Sequence, residues 1–278
     1  MSLELNRRGF LAAAGLAGVA KPGGAQSAAP PAAAIKLGVA SYSLREYSRA
    51  LAIRCIQELR TPYVSVKEFH LPYRSSPEEL EAGRKEFARA GLTIVSGGNI
   101  GLPKDDPDDI RRYFEYARMC GMPMMVCAPT HTNLGTIERF VKEYNIRIAI
   151  HNHGPEDKQY PTPQSVLEVV RNMDPRCGLC IDAGHAARAG ADVVESIAQA
   201  GSRLFDMHIK DLRTFEPHAV QCDVGEGIMP IVGIFRQLQK IGYQGCVNLE
   251  YEINGDNPLP GMRNSFSYMR GVLAGMSS

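Results

Sequence analysis

Four short stretches late in the chain bring together residues able to do acid-base and metal chemistry. In Ile148-Ala149-Ile150-His151-Asn152-His153, three apolar β-formers run into two histidines, and Gly154-Pro155 then ends the run. Side chains alternate along a strand, so His151 and His153 are expected to point the same way. The same ending recurs in Gly178-Leu-Cys-Ile-Asp182, in Leu204-Phe-Asp-Met-His208 and in Cys246-Val-Asn-Leu-Glu250. Apolar strands that finish on polar residues are expected where a buried parallel sheet opens onto a site. One such Asp would cap a loop, and one such His would satisfy a carbonyl. Four on the same layer of consecutive strands point to a cation. His151, Asp182, His208 and Glu250 form a mixed nitrogen and oxygen donor set suited to Mn, Zn, Co or Fe, with Mn preferred, rather than to Ca or Mg alone.

The elements that must carry these residues follow from periodicity. Strands are predicted at Ile35–Ala40, Tyr63–Phe69, Thr93–Ser96, Met124–Cys127, Ile146–His151, Gly178–Asp182, Leu204–Ile209 and Cys246–Glu250. Helical patterns lie between them at Glu78–Ala90, Asp108–Cys120, Thr136–Tyr144, Thr162–Asn172, Asp192–Ala200 and Ile231–Ile241. Ser76-Pro77 and Asp106-Pro107 supply start signals, and Gly91 and Gly121 supply stop signals. Strands alternating with helices over roughly 240 residues predict an α/β fold, a single (β/α)8 TIM barrel occupying residues 35–278. In that fold strand ends gather at the C-terminal face, where active sites sit. An open doubly wound sheet is the competing architecture, but no GxGxxG follows the first strand.

Composition removes several function classes. The 278-residue chain is 44% hydrophobic and 22% charged with a formal net charge of +1, so it has no electrostatic footprint for nucleic acid. Seven cysteines show no disulfide spacing. Cys177-Gly-Leu-Cys180 matches CxxC, but Cys180 falls inside an apolar strand, where cysteine acts as a small hydrophobe. At the N-terminus, Asn6-Arg7-Arg8-Gly9-Phe10-Leu11 leads into an Ala/Gly-rich run through Ala20. This resembles a twin-arginine export signal, with Ala25 as a cleavage point and a low-complexity segment continuing to Ala34. The expectation is a periplasmic or otherwise exported bacterial protein. The apolar run is too short for a permanent membrane anchor. A homo-oligomer is compatible with the sequence.

From Ile35 onward the chain resembles the xylose isomerase-like TIM-barrel superfamily of sugar isomerases and epimerases, which also holds metal-dependent AP endonucleases. The segments that carry the resemblance are His151-Asn-His153, Ile181-Asp182-Ala-Gly-His185, Met207-His208-Ile-Lys210-Asp211, Asp223-Val-Gly225-Glu-Gly227 and Leu249-Glu250-Tyr-Glu252. The resemblance implies a divalent metal held by residues of strands five to eight, and Asp182, His208 and Glu250 match that pattern. The fifth strand departs from it. Where the family carries Glu-Asn-His, this chain has His151-Asn152-His153. His151 can occupy the coordination slot, but a ligated imidazole has no lone pair with which to take a carbon-bound proton. Epimerisation by two carboxylates therefore lacks one partner.

Other side chains could replace it. Ser65 and Lys67 are expected to share a face of the second strand, and Lys67 beside a metal is a candidate general base. Lys210 is placed to neutralise an enolate oxygen. His70, His153, His185 and Glu252 are candidate substrate contacts. The reading that follows is a metal-dependent isomerase or epimerase acting on a keto- or aldo-sugar through an enediolate. β-Elimination from a 3-keto-glycoside by a lyase is the alternative, and a non-catalytic sugar-binding barrel is the second. The partner is a small sugar or glycoside.

Overall fold

The structure is a computed structural model that describes residues 34–277. Residues 1–33, which hold the expected export signal, lie outside the described residues. The strands are β1 (Lys36–Ala40), β2 (Tyr63–Val66), β3 (Thr93–Leu102), β4 (Met124–Pro129), β5 (Arg147–His151), β6 (Cys177–Asp182), β7 (Leu204–Ile209), β8 (Asp211–Leu212), β9 (Gln221–Cys222) and β10 (Cys246–Leu249). The helices are α1 (Arg49–Glu58), α2 (Pro77–Arg89), α3 (Pro107–Met119), α4 (Leu134–Tyr144), α5 (Pro163–Val170), α6 (Ala183–Arg188), α7 (Val193–Ala200), α8 (Ile231–Lys240) and α9 (Leu259–Met276). Strands β1 to β7 and β10 pair in parallel and close a barrel through the β1–β10 contact. This is the single (β/α)8 TIM barrel that the alternation predicts.

Local chemistry explains most boundaries. Ser76 caps α2 in a reciprocal box with Glu79, with Pro77 in the first turn. Asp106 caps α3 by accepting from the backbone N–H of Asp108 and Asp109. Gly91 and Gly121 both take positive φ past helix ends. Three helices escaped the periodicity. Helix α6 has only six residues and starts directly on the last residue of β6. Helices α1 and α9 interrupt their apolar stripes with Arg, Gly or Ser, so packing against the barrel holds them rather than propensity. The second strand stops at Val66, earlier than expected, and the third runs on to Leu102.

Two polar devices set the barrel's shape. Inside it, Ser96 Oγ donates to Asp206 Oδ2 at 2.5 Å, Asn248 Nδ2 donates to Asp206 Oδ1 at 2.7 Å, and all three side chains are fully buried. Above it, the β8–β9 hairpin is pinned by Asp211, whose carboxylate accepts from the backbone N–H of Leu212, Gly225, Gly227 and Met229 at 2.9–3.2 Å. Gly225 has a φ of +102°, and a Cβ on Gly227 would collide with that same carboxylate. Among the described residues no helix is long and apolar enough to cross a membrane.

The interior network dictates glycine at one strand position. A Cβ at Gly38 would collide with Asn248 Oδ1 and come within 3.2 Å of the Tyr63 backbone oxygen. Gly38→Ala should therefore destabilise the barrel by about 1–3 kcal/mol, the usual range for overpacking. Urea unfolding is the check, and an unchanged midpoint would contradict the packing described.

Candidate active site

Each of the last four barrel strands brings one ionisable side chain to the C-terminal mouth. His151 and Asp182 are the final residues of β5 and β6, His208 is the penultimate residue of β7, and Glu250 directly follows β10. One donor atom from each lies within 4.8 Å of all the others, and all four side chains are buried. His151 Nε2 and His208 Nδ1 are 3.2 Å apart, and His208 Nδ1 is 3.1 Å from Glu250 Oε2. Asp182 Oδ2 is 3.6 Å from His151 Nε2 and 3.9 Å from His208 Nδ1.

Asp182 does two jobs with two oxygens. Its Oδ1 accepts from the His185 backbone N–H at 2.7 Å and so caps α6. Its Oδ2 is buried without a hydrogen bond and faces the other three donors, with Lys210 Nζ paired to it at 2.9 Å. Asn152 fixes the approach of the two strands. Its side chain accepts from the Asp182 N–H at 2.9 Å and donates to the Asp182 carbonyl at 3.2 Å. Gln221 of the hairpin performs the same service for Glu250. Its Nε2 donates to the Glu250 carbonyl and its Oε1 accepts from the Glu252 N–H, both at 2.8 Å.

The donor set fits a divalent cation on its own chemistry. Two buried imidazole nitrogens and two buried carboxylate oxygens converge, and one of those oxygens has an unspent acceptor position. Mutual proximity also explains the protonation of the site. Burial presses the His151 pKa down to about 3. Burial works against charge on Asp182, yet Lys210 and the neighbouring imidazoles hold its carboxyl below the usual range. Glu250 is likewise held low against burial by His208, Lys210 and Lys67. Burial opposes a charged Lys210, but Asp182, Glu250 and Glu252 outweigh it and push its pKa up.

The remaining residues anticipated from sequence divide into two groups. Lys210 Nζ reaches Glu250 at 3.1 Å and Glu252 at 2.7 Å, and Lys67 Nζ stands 3.5 Å from Glu250 Oε1. Lys67 follows the last residue of β2, so its approach comes from the loop exit and not from strand alternation. His185 and His153 stack beside the quartet, with ring centroids 4.7 Å apart and 5.9 and 5.6 Å from His151. His153, however, lies beyond the end of β5 and is exposed, so alternation does not govern it. His70 is buried instead, with its Nδ1 3.0 Å from Ser41 Oγ, packed under the turn that leaves β1.

Sequence reasoning missed Tyr42 and Phe69. Tyr42, in the turn after β1, lies 4.8 Å under the Lys67 ammonium and packs on Phe69 at 5.8 Å. Phe69 is 45% exposed, so an aromatic wall leads from solvent toward Glu250. Tyr42 sits in a single 3-10 turn and Phe69 in the loop after β2, past the point where the predicted strand stops. A separate apolar cavity of about 480 Å³ lies beside α7, lined by residues such as Phe215, Ile228 and Met229. It holds none of the quartet, and the convergent polar groups make the barrel mouth the better candidate.

Residues 62–272 match the family described as xylose isomerase-like TIM barrel, and the chain belongs to that family. Over 200 residues it is 26% identical to the inosose dehydratase of Mesomycoplasma hyopneumoniae strain 7448, covering 65% of this chain and 61% of that protein. The chain thus spans less than two thirds of the length of the curated relatives it matches. Its fold is similar to that of the IolI protein with a bound zinc atom, with a TM-score of 0.73, 17% identity, and 87% and 99% of the two chains covered. It is also similar to D-psicose 3-epimerase, with a TM-score of 0.68, 18% identity, and coverage of 86% and 99%.

The burial of His70 has a measurable consequence. Burial lowers its pKa, against the carbonyls of Leu44 and Tyr47. Below its ordinary value of about 6.5 the unfolded chain takes up a proton that the folded chain refuses. The stability His70 leaves intact above that pH is therefore lost as pH falls. Urea midpoints should decline from pH 7 to pH 4.5, and His70→Gln should decline less steeply than wild type.

Proposed function

We propose that this protein is a divalent-metal-dependent enzyme that removes the α-proton of a small polyhydroxy ketone and eliminates the β-substituent. The carrying observation is the asymmetry of the site: a buried Lys67–Glu250 pair stands on one side, and an imidazole, His151, replaces the carboxylate expected on the other. One side can take a proton from carbon. On the other side the residue that replaces the carboxylate is an imidazole read as a ligand, which has no lone pair with which to return one, and this disfavours epimerisation by the two strand-end residues. The likeness to an inosose dehydratase supports elimination from a cyclic polyhydroxy ketone or a 3-keto-glycoside.

His151, Asp182, His208 and Glu250 would hold the cation, of which Mn, Zn, Co and Fe all suit the donors. When bound, it supplies Lewis-acid polarisation of the substrate carbonyl. Glu250 accepts the α-proton on Oε1, and Lys67, whose Nζ stands 3.5 Å away, positions that oxygen. Lys210, held by three carboxylates, places its ammonium where enolate charge develops. The electron pair of the broken C–H bond forms the new double bond, the β C–O bond breaks with its pair on oxygen, and that oxygen takes the abstracted proton from Glu250 and leaves as water or an alcohol. His153 and His185 face the substrate hydroxyls at the open side, with Glu252 beside Lys210. His70 is not assigned a substrate contact, because its side chain is buried with Nδ1 3.0 Å from Ser41 Oγ.

Isomerisation is the second reading, because a single base can return the proton to the neighbouring carbon on the same face. Export is proposed only from Arg7-Arg8 and the run that follows them.

The test is incubation with ketoses, aldoses and 3-keto-glycosides in heavy water. Released water or aglycone with an unsaturated ketone is expected, and a deuterated rearranged sugar would select the isomerase instead. Lys67→Met should keep the metal but slow turnover by roughly a hundredfold, the order of magnitude for a misplaced reacting group. Glu250→Gln should lose metal and turnover together. A Lys67→Met variant with wild-type rates would remove Lys67 from the mechanism.

A further inference from the structure

A second set of donors lies beneath the quartet. Cys180 precedes Asp182 by two residues on β6, so both side chains leave the strand on the same side. In register it faces His151 of β5 and Asp206 of β7. Its Sγ and one ring nitrogen each from His151 and His208 lie within 4.8 Å of one another, and all three side chains are buried. Each imidazole also keeps a buried nitrogen with no hydrogen-bond partner, Nδ1 in His151 and Nε2 in His208. Cys180 also belongs to a buried apolar cluster with Met124, Val126, Ala149 and Phe205. Cys180 is the second residue of β6, after Asp182, to bring a donor atom to both imidazoles.

We propose that Cys180 is the inner donor of a position for thiophilic cations, sharing His151 and His208 with the quartet. This rests on the reading of the quartet as a metal site. Two imidazoles and a thiolate form a softer set than two imidazoles and two carboxylates, so they favour Zn²⁺, Co²⁺ or Cd²⁺ over Mn²⁺. On ligation the S–H bond breaks, its electron pair stays on sulfur to form the bond to the cation, and one proton passes to solvent. The thiol thereby makes metal choice a property of the barrel interior as well as of its mouth. Among the described residues no other cysteine belongs to a group of converging donors.

Cobalt distinguishes the alternatives in the full chain after metal removal. Equilibrium dialysis measures Co²⁺ uptake, and near-ultraviolet absorption reports any sulfur-to-cobalt charge transfer. The expected result is Co²⁺ binding with a charge-transfer band that Cys180→Ala loses while still binding the ion. The preference of the wild type for Zn²⁺ over Mn²⁺ in competition dialysis should fall about tenfold in that variant, the scale of losing one favourable ligand. Uptake without the band in wild type, or a band that survives in Cys180→Ala, overturns the role of Cys180 and leaves the quartet standing. No uptake at all by the wild type overturns the quartet and this proposal together. If Cys180→Ala does not fold, the wild-type spectrum still decides.

Discussion

The structure depends on keeping opposite charges together in a place where water is scarce. Asp182 and Glu250 are buried at the mouth of the barrel, and isolated carboxylates there would be strongly destabilised. Two lysines reach in from other elements to prevent that. Lys210 bridges Asp182, Glu250 and Glu252, and Lys67 approaches Glu250 from the far side. The carboxylates stay ionised as a result, available as donors, while the low-dielectric surroundings strengthen each interaction. A site built this way is preorganised for a reaction in which negative charge develops on an oxygen.

Backbone economy puts the charges there. Asp182 ends a strand and starts a helix in one residue, so the strand-to-helix junction itself aims its second oxygen at the imidazoles and at Lys210. Asn152 ties the β5 exit to the β6 exit through both backbone groups of Asp182. Gln221 ties the β9 hairpin to the β10 exit in the same manner. Asp211 in turn gathers the amides of the glycine-bearing loop that follows the hairpin. These side-chain-to-backbone bonds act as a supporting layer, which orients the groups that meet the reacting atoms.

Beneath the mouth the barrel is not a purely apolar plug. Ser96, Asp206 and Asn248 form a buried polar layer, and Cys180 stands in register beside Asp206. The imidazoles of His151 and His208 therefore have two chemically different sets of neighbours within reach, the carboxylates of Asp182 and Glu250 and the thiol of Cys180.

Much of this was legible in the chain. Alternating apolar runs and capped amphipathic stretches specified the barrel, because burial on both faces and the 3.6-residue repeat leave marks in local sequence. The four strand-end residues were legible for the same reason, since each breaks an apolar run at the point where a barrel strand meets its loop. Only the tertiary structure decided what lies around them. Tyr42, Phe69, Asn152 and Gln221 act from segments with no periodicity, and His153 lies past the end of its strand, where alternation no longer applies. The partnership of Cys180 with two imidazoles likewise depends on interstrand register and on the closure of the sheet, and those belong to the whole chain rather than to any stretch of it.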